Sequence, residues 1–170
     1  MYCPTCGHLN LPGADACEEC GLPLANLDMP APHDRVERSL MTESVAVLGP
    51  REPVTVGVGE DLGRAVRQMI ERKVGAVLVT DAAGGLVGIL TERDFLTKVA
   101  GQPGFEALPV RQFMTPRPET VAPTDTLAFA LSKMDAGGYR HLPVVEGGRP
   151  VGVISVRDVL RHVTDLCRDG

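Results

Sequence analysis

The chain has 170 residues, 44% of them hydrophobic, with a formal net charge of −5 and a pI near 5.3. That composition supports a packed core and argues against disorder, and no apolar run approaches the ~20 residues of a spanning helix. The acidic balance, with two Tyr, four Phe and no Trp, argues against the basic footprint and stacking platform of a nucleic-acid binder.

The opening stretch "MYCPTCGHLN" has neither the basic nor the apolar segment of a secretory signal, so a cytoplasmic protein without a membrane anchor is expected. Four of the five cysteines, Cys3, Cys6, Cys17 and Cys20, fall in the pattern C-x2-C-x10-C-x2-C. A two-residue gap lets both thiolates of a pair face one ion, and Gly7 and Gly21 supply the turn after each pair. Four such sulfurs suit tetrahedral Zn2+. Two redox pairs or two disulfides are the alternatives, although Pro4, Gly7, Pro12 and Gly13 leave no room for the strand and helix of a thioredoxin-like site. Residues 1–24 resemble the short zinc ribbons carried by many bacterial proteins, too small to bury a core and folded by their metal. No Lys or Arg precedes Arg35, whereas Asp15, Glu18, Glu19, Asp28 and Asp34 do. A protein partner, or a passive structural cap, therefore suits this ribbon better than a phosphate backbone. His8 and His33 are expected to be exposed, because four cysteines already fill the metal shell. The proline-rich residues 25–34 read as a linker.

The rest of the chain repeats itself. "VGVGEDLGRAVRQM" (56–69) aligns on "VAPTDTLAFALSKM" (121–134), and "LVTDAAGGLVGILTERD" (78–94) on "PVVEGGRPVGVISVRD" (143–158) with one deletion. The lead-ins "SLMT" (39–42) and "QFMT" (112–115) also match. Each repeat predicts a short strand near "PVTV" or "ETV". An amphipathic helix follows, on Leu62, Ala65, Val66, Met69 and Ile70, or on Leu127, Ala130, Leu131 and Met134 with Thr124 as N-cap. Two buried strands joined by a Gly-rich turn come next. A second helix closes each unit, on Phe95, Leu96 and Val99, or on Val159, Leu160, Val163 and Leu166. A unit of order strand-helix-strand-strand-helix cannot cover both faces of its sheet, so two copies paired about a pseudo-twofold axis are expected. The first repeat carries an extra segment, "AVLGPREP", expected as a loop beside its cleft.

Each second strand runs into a hydroxyl-x-x-Asp turn, Thr91 to Asp94 and Ser155 to Asp158. The hydroxyl is a good N-cap and the acid suits a first helical turn, although aspartate is shorter than the glutamate that closes a capping box best. The same turn also suits phosphate and ribose, the N-H groups and hydroxyl holding phosphate and the carboxylate accepting from a diol.

Residues 36–168 resemble a CBS-domain pair, through the "MT" lead-ins, "GAVLVTDAAGGLVGILTERDFL" and "GGYRHLPVVEGGRPVGVISVRDVL". The resemblance implies an α/β fold of tandem CBS repeats, residues 35–105 and 106–170, whose clefts bind AMP, ADP, ATP or another adenosyl ligand. It implies that Asp94 and Asp158 hold ribose, with Thr91 and Ser155 near ribose or phosphate, and that Thr55, Val56, Thr120 and Val121 line adenine. Arg140 and His141 would face phosphate from the second repeat, where the first has Gly75 and Ala76, and Arg93 and Arg157 would approach it too. The second cleft is therefore expected to bind more tightly. The resemblance also implies a homodimer. No catalytic motif is present; Cys167 is expected to pack and His162 to lie on an exposed flank. A regulatory adenosine-nucleotide sensor with a ribbon adaptor is the leading reading. A scaffold with vestigial clefts, or a ribbon-mediated nucleic-acid-associated regulator, is the alternative.

Overall fold

The computed structural model describes residues 2–3, 5–11, 14–24 and 32–168. Pro4, Pro12, Gly13, Asp28 and most of the expected linker lie outside the described residues. The chain divides into two compact units, Met1–Asp34 and Arg35–Gly170.

In the first unit each cysteine pair makes the same tight turn. Gly7 N donates to Cys3 O and Gly21 N to Cys17 O, both at 2.8 Å. Both glycines have positive φ, +73° and +71°, which a side chain would strain. Cys3, Cys17 and Leu24 are buried together, a core too small to hold the unit by apolar burial alone.

The second unit begins with α1 (Arg35–Thr42) and a 3-10 turn over Val45–Leu48. The first repeat then supplies β1 (Thr55–Gly57), α2 (Leu62–Arg72), β2 (Ala76–Thr80) and β3 (Leu86–Thr91), followed by one turn, α3 (Glu92–Asp94), that widens into a π-turn over Phe95–Val99. β4 (Thr115–Pro116), α4 (Leu127–Gly137), β5 (His141–Glu146), β6 (Arg149–Ser155) and α5 (Val156–Arg168) complete the chain. The first sheet has order β1-β2-β3-β4, with β1 parallel to β2 and the other pairs antiparallel. In the second repeat β5 and β6 form a hairpin. Its outer partners shrink to single bridges, Val121 to Val144 and Arg51 to Val153. The strand expected at "ETV" is therefore one bridge. Among the described residues no helix is long and apolar enough to cross a membrane.

The two repeats exchange their lead-ins. Val110 and Phe113, in the lead-in of the second repeat, are buried in the first repeat's core with Val56, Leu62 and Val79. Val45, in the lead-in of the first repeat, is buried in the second's core with Val121, Leu142 and Ile154. The hydrogen bonds match as well: Leu62 N donates to Leu108 O and Leu127 N to Glu43 O, at 2.8 and 3.0 Å. Each repeat exposes a sheet edge and a helix N-terminus that the other's lead-in covers, so neither closes alone. The "AVLGPREP" segment takes part in this exchange and is not a simple loop. It includes the 3-10 turn, sets Pro50 over Gly152 and bridges Arg51 to Val153.

Several local expectations are corrected. Thr126, not Thr124, caps α4, accepting from Phe129 N at 3.2 Å, because Asp125 folds back onto Ala122 N and completes the preceding turn. The first repeat's second helix is cut short, since Gly101, Pro103 and Gly104 follow it. Ile70 is 70% exposed. His162 is drawn inward, its ring nitrogen 2.8 Å from the buried Ser39 hydroxyl and 3.0 Å from Glu43. Cys167 is exposed; it lies eight residues past the buried Val159, about 80° around the helix.

Candidate functional site

Both hydroxyl-x-x-Asp turns open into one continuous cleft of about 930 Å³ within the second unit. Thr91, Arg93, Asp94, Ser155, Arg157 and Asp158 all line it, with Arg140 and His141. The two clefts expected from the repeats are thus halves of a single depression.

The turns share one geometry. Asp94 Oδ2 accepts from Thr91 N at 3.0 Å and from the Thr91 hydroxyl at 2.6 Å. Asp158 Oδ2 accepts from Ser155 N at 2.8 Å and from the Ser155 hydroxyl at 2.6 Å. Thr91 also accepts from Asp94 N, so a capping box closes with aspartate after all. The shorter acid reaches because the extended cap residue brings its own N-H toward the first turn.

The second oxygens differ. Asp94 Oδ1 meets the Lys98 ammonium at 2.6 Å and the Thr115 hydroxyl at 3.3 Å. Asp158 Oδ1 meets only Arg161, at 3.5 Å, among the described residues. Burial pushes the Asp94 carboxyl up, but Lys98 and Thr91 outweigh it and hold the group below its ordinary range.

His141 joins the two halves. It pairs with Ser155 across β5 and β6, yet a methyl group on Gly75 of the first repeat would stand only 3.2 Å from its Nε2. The small Gly75 leaves the space that His141 fills. Burial pulls this imidazole below its ordinary value; Glu92 and Asp158 oppose that pull, and Arg140 and Arg157 add to it. Arg93, Arg140 and Arg157 are exposed along the cleft, an array that suits an anion.

Four expected residues are placed elsewhere. Val56 and Val121 are 2% exposed and belong to the two cores. Thr55 and Thr120 are not among the cleft-lining residues, and the Thr120 carbonyl accepts from Lys133 at 2.8 Å. The wall at these points is Pro53, Val54, Pro118 and Glu119, one to three residues earlier. Alternation along β1 sends Val56 inward, and Val121 is held inward by its single bridge to Val144.

The second candidate site lies in the first unit. The sulfurs of Cys3, Cys6, Cys17 and Cys20 all lie within 4.8 Å of one another. Cys3 and Cys20 stand 3.6 Å apart, as do Cys6 and Cys17. Sulfurs about 2.3 Å from one tetrahedral ion are about 3.8 Å apart, so the set fits such an ion; S–S bonds need about 2.05 Å. The Cys17 thiol is pulled down to about 6, first by the Cys20 backbone N-H and with help from the Asn10 amide. For Cys6 the His8 backbone contact lowers the thiol, but burial and three neighbouring sulfurs outweigh it and push it up to about 12. Four crowded thiols resist joint ionisation until a cation compensates their charge.

Sequence reasoning missed Lys98, Thr115 and Asn10. Lys98 carried a signal, standing four residues after Asp94 on one helical face. Thr115 ends the repeated "MT" lead-in but its partner lies 21 residues earlier, and Asn10 carried no signal.

The CBS domain family model matches residues 38–101 and 110–165. Over 109 residues, 63% of this chain, the sequence is 44% identical to the CBS domain-containing protein CBSCBSPB5 of Arabidopsis thaliana. The match covers 20% of that protein, so the chain spans about a fifth of such curated plant relatives. The crystal structure of the CBS-domain containing protein ATU1752 from Agrobacterium tumefaciens is similar with a TM-score of 0.62 and 37% identity, over 69% of this chain and 88% of that one. The CBS domain protein PAE2072 from Pyrobaculum aerophilum, solved complexed with AMP, is similar with a TM-score of 0.63 and 27% identity, over 72% and 98%.

Proposed function

The chain belongs to the CBS-domain family, and from that premise we propose that its tandem repeats form a regulatory, non-catalytic module that binds an adenosine nucleotide. The observation that carries this reading is the shared cleft, where paired Thr/Ser-x-x-Asp turns meet exposed arginines in a volume suited to a small ligand. The AMP complex of the Pyrobaculum aerophilum relative supports it. In this reading Asp158 accepts from the ribose diol, Ser155 stands beside it, and Arg140, His141, Arg157 and Arg93 attract the phosphates. Pro53, Val54, Pro118 and Glu119 offer the walls for adenine.

The same proposal gives Cys3, Cys6, Cys17 and Cys20 a structural Zn2+. It divides the chain into a ribbon over 1–24, a linker over 25–34 and repeats over 35–105 and 106–170. The ribbon's acidic surface and exposed Tyr2, Leu9 and Leu11 suit a protein partner, making it an adaptor in a cytoplasmic homodimer. Calorimetric titration of AMP, ADP and ATP into the full chain tests the nucleotide reading. Saturable heat from at least one of them is expected, and no binding at millimolar ligand overturns it.

A further inference from the structure

A ribose diol needs a carboxylate with acceptor capacity to spare, and an ionised carboxylate has roughly four lone-pair positions. Asp94 has filled all of them from within the chain. Thr91 N and the Thr91 hydroxyl take Oδ2, and the Lys98 ammonium and the Thr115 hydroxyl take Oδ1. Asp94 is also buried, at 8% exposure. Lys98 is anchored in this position, donating as well to Phe113 O at 3.0 Å.

The second repeat has the same positions and uses them otherwise. Lys98 corresponds to His162, which turns away to Ser39 and Glu43. Thr115 corresponds to Thr42, whose hydroxyl donates to Arg38 O at 2.8 Å. Asp158 therefore keeps one oxygen whose sole described contact is an exposed arginine at 3.5 Å. Lys98 lies in the π-turn over Phe95–Val99, whereas His162 lies in the regular α5.

We propose that Lys98, with Thr115, is a built-in occupant of the first half-site, so that the chain binds one nucleotide, at Asp158, and Lys98 sets that stoichiometry. This rests on the nucleotide reading above. The occupant is chemically apt, since an ammonium held at a carboxylate must give up that charged partner before a neutral diol can bind there.

The test is calorimetric titration of AMP into the full chain and its variants, with proton–nitrogen correlation spectra to confirm folding. Wild type should bind one AMP per chain. Asp158→Ala, with Lys98 intact, should lose binding by about 100-fold or more. Lys98→Met keeps the aliphatic stem and should raise the stoichiometry to two. Asp158→Ala combined with Lys98→Met should bind one, at the first half-site. Two AMP bound by wild type, or near-wild-type affinity in Asp158→Ala, overturns the proposal without needing any Lys98 variant to fold. A folded Lys98→Met that still binds one overturns the role given to Lys98. No binding by wild type overturns the nucleotide reading and this inference together, an outcome distinct from the others.

Discussion

Asn10 ties the two cysteine turns together at Cys17. Its side-chain nitrogen donates to Cys17 Sγ at 3.6 Å and to His8 O at 3.1 Å, and its oxygen accepts from Glu18 N at 3.0 Å. At 3% exposure this amide is almost dry, so its bonds are strong and their loss costly. It links the first turn's backbone to the second turn's thiol and orients a prospective metal ligand before any ion arrives.

Purified protein is accordingly expected to hold about one Zn2+ per chain, and Asn10→Ala to bind it about 10–100-fold more weakly. Elemental analysis and competition against a chromophoric chelator measure both. A chain without metal, its cysteines joined as disulfides, would count against the site; unchanged affinity in Asn10→Ala would count against its positioning role.

Gly88 and Gly152 occupy equivalent places in the two repeats, each beneath the other's lead-in. A methyl group on Gly152 would come within 2.6 Å of Pro50 Cβ, and one on Gly88 would overlap the Met114 side chain. The proline ring cannot turn aside, whereas the thioether can. Gly152→Ala should destabilise the fold by about 1–3 kcal/mol and Gly88→Ala by less. Equilibrium urea unfolding decides; equal losses would mean that the lead-ins yield alike.

Asp94 makes acid stability a local matter. Its carboxyl is held below the ordinary range by Lys98 and Thr91 against the opposing effect of burial. A carboxyl depressed in the folded state stabilises at pH values above its unfolded pKa, about 3.9, and that contribution fades as pH falls through the lower folded value. Melting temperature should thus drop more steeply below about pH 4 in wild type than in Asp94→Asn. Parallel acid limbs for the two proteins would show that Asp94 is not the group responsible.

Much of this was legible in the sequence because it repeats. Two alignable copies revealed the helix faces, the buried strands and the twin turns, and the four-cysteine spacing marked a metal-sized cluster. What escaped notice depends on contacts between distant segments. The exchange of lead-ins leaves no periodic trace, since Val45 and Val110 each serve the other repeat's core. Val56 and Val121, expected to line adenine, sit in the two cores, and the cleft wall beside them is formed by residues that precede them. His162 looked like a surface residue until α1 brought Ser39 beside it.

Arg140 gives the most direct test of how the cleft reads a nucleotide. It is exposed at the cleft, immediately before His141, which fills the space over Gly75. If it meets phosphate, its removal should weaken AMP but leave adenosine untouched, since only the former carries the anion. A charge-assisted contact contributes about 1.5–3 kcal/mol, so Arg140→Ala should weaken AMP by roughly tenfold to a hundredfold. Gly75→Ala provides a second lever. The added methyl would press His141 at 3.2 Å and disturb the cleft beside Arg140 without removing any charge. It should lower AMP affinity by a smaller factor. Titrations of AMP and adenosine into wild type and both variants measure the ratio of their affinities. A ratio unchanged by Arg140→Ala would place the phosphate elsewhere, with Arg93 and Arg157 the remaining exposed cleft arginines among those assigned to it. Equal weakening of AMP and adenosine would instead mean that Arg140 shapes the cleft and does not read the charge.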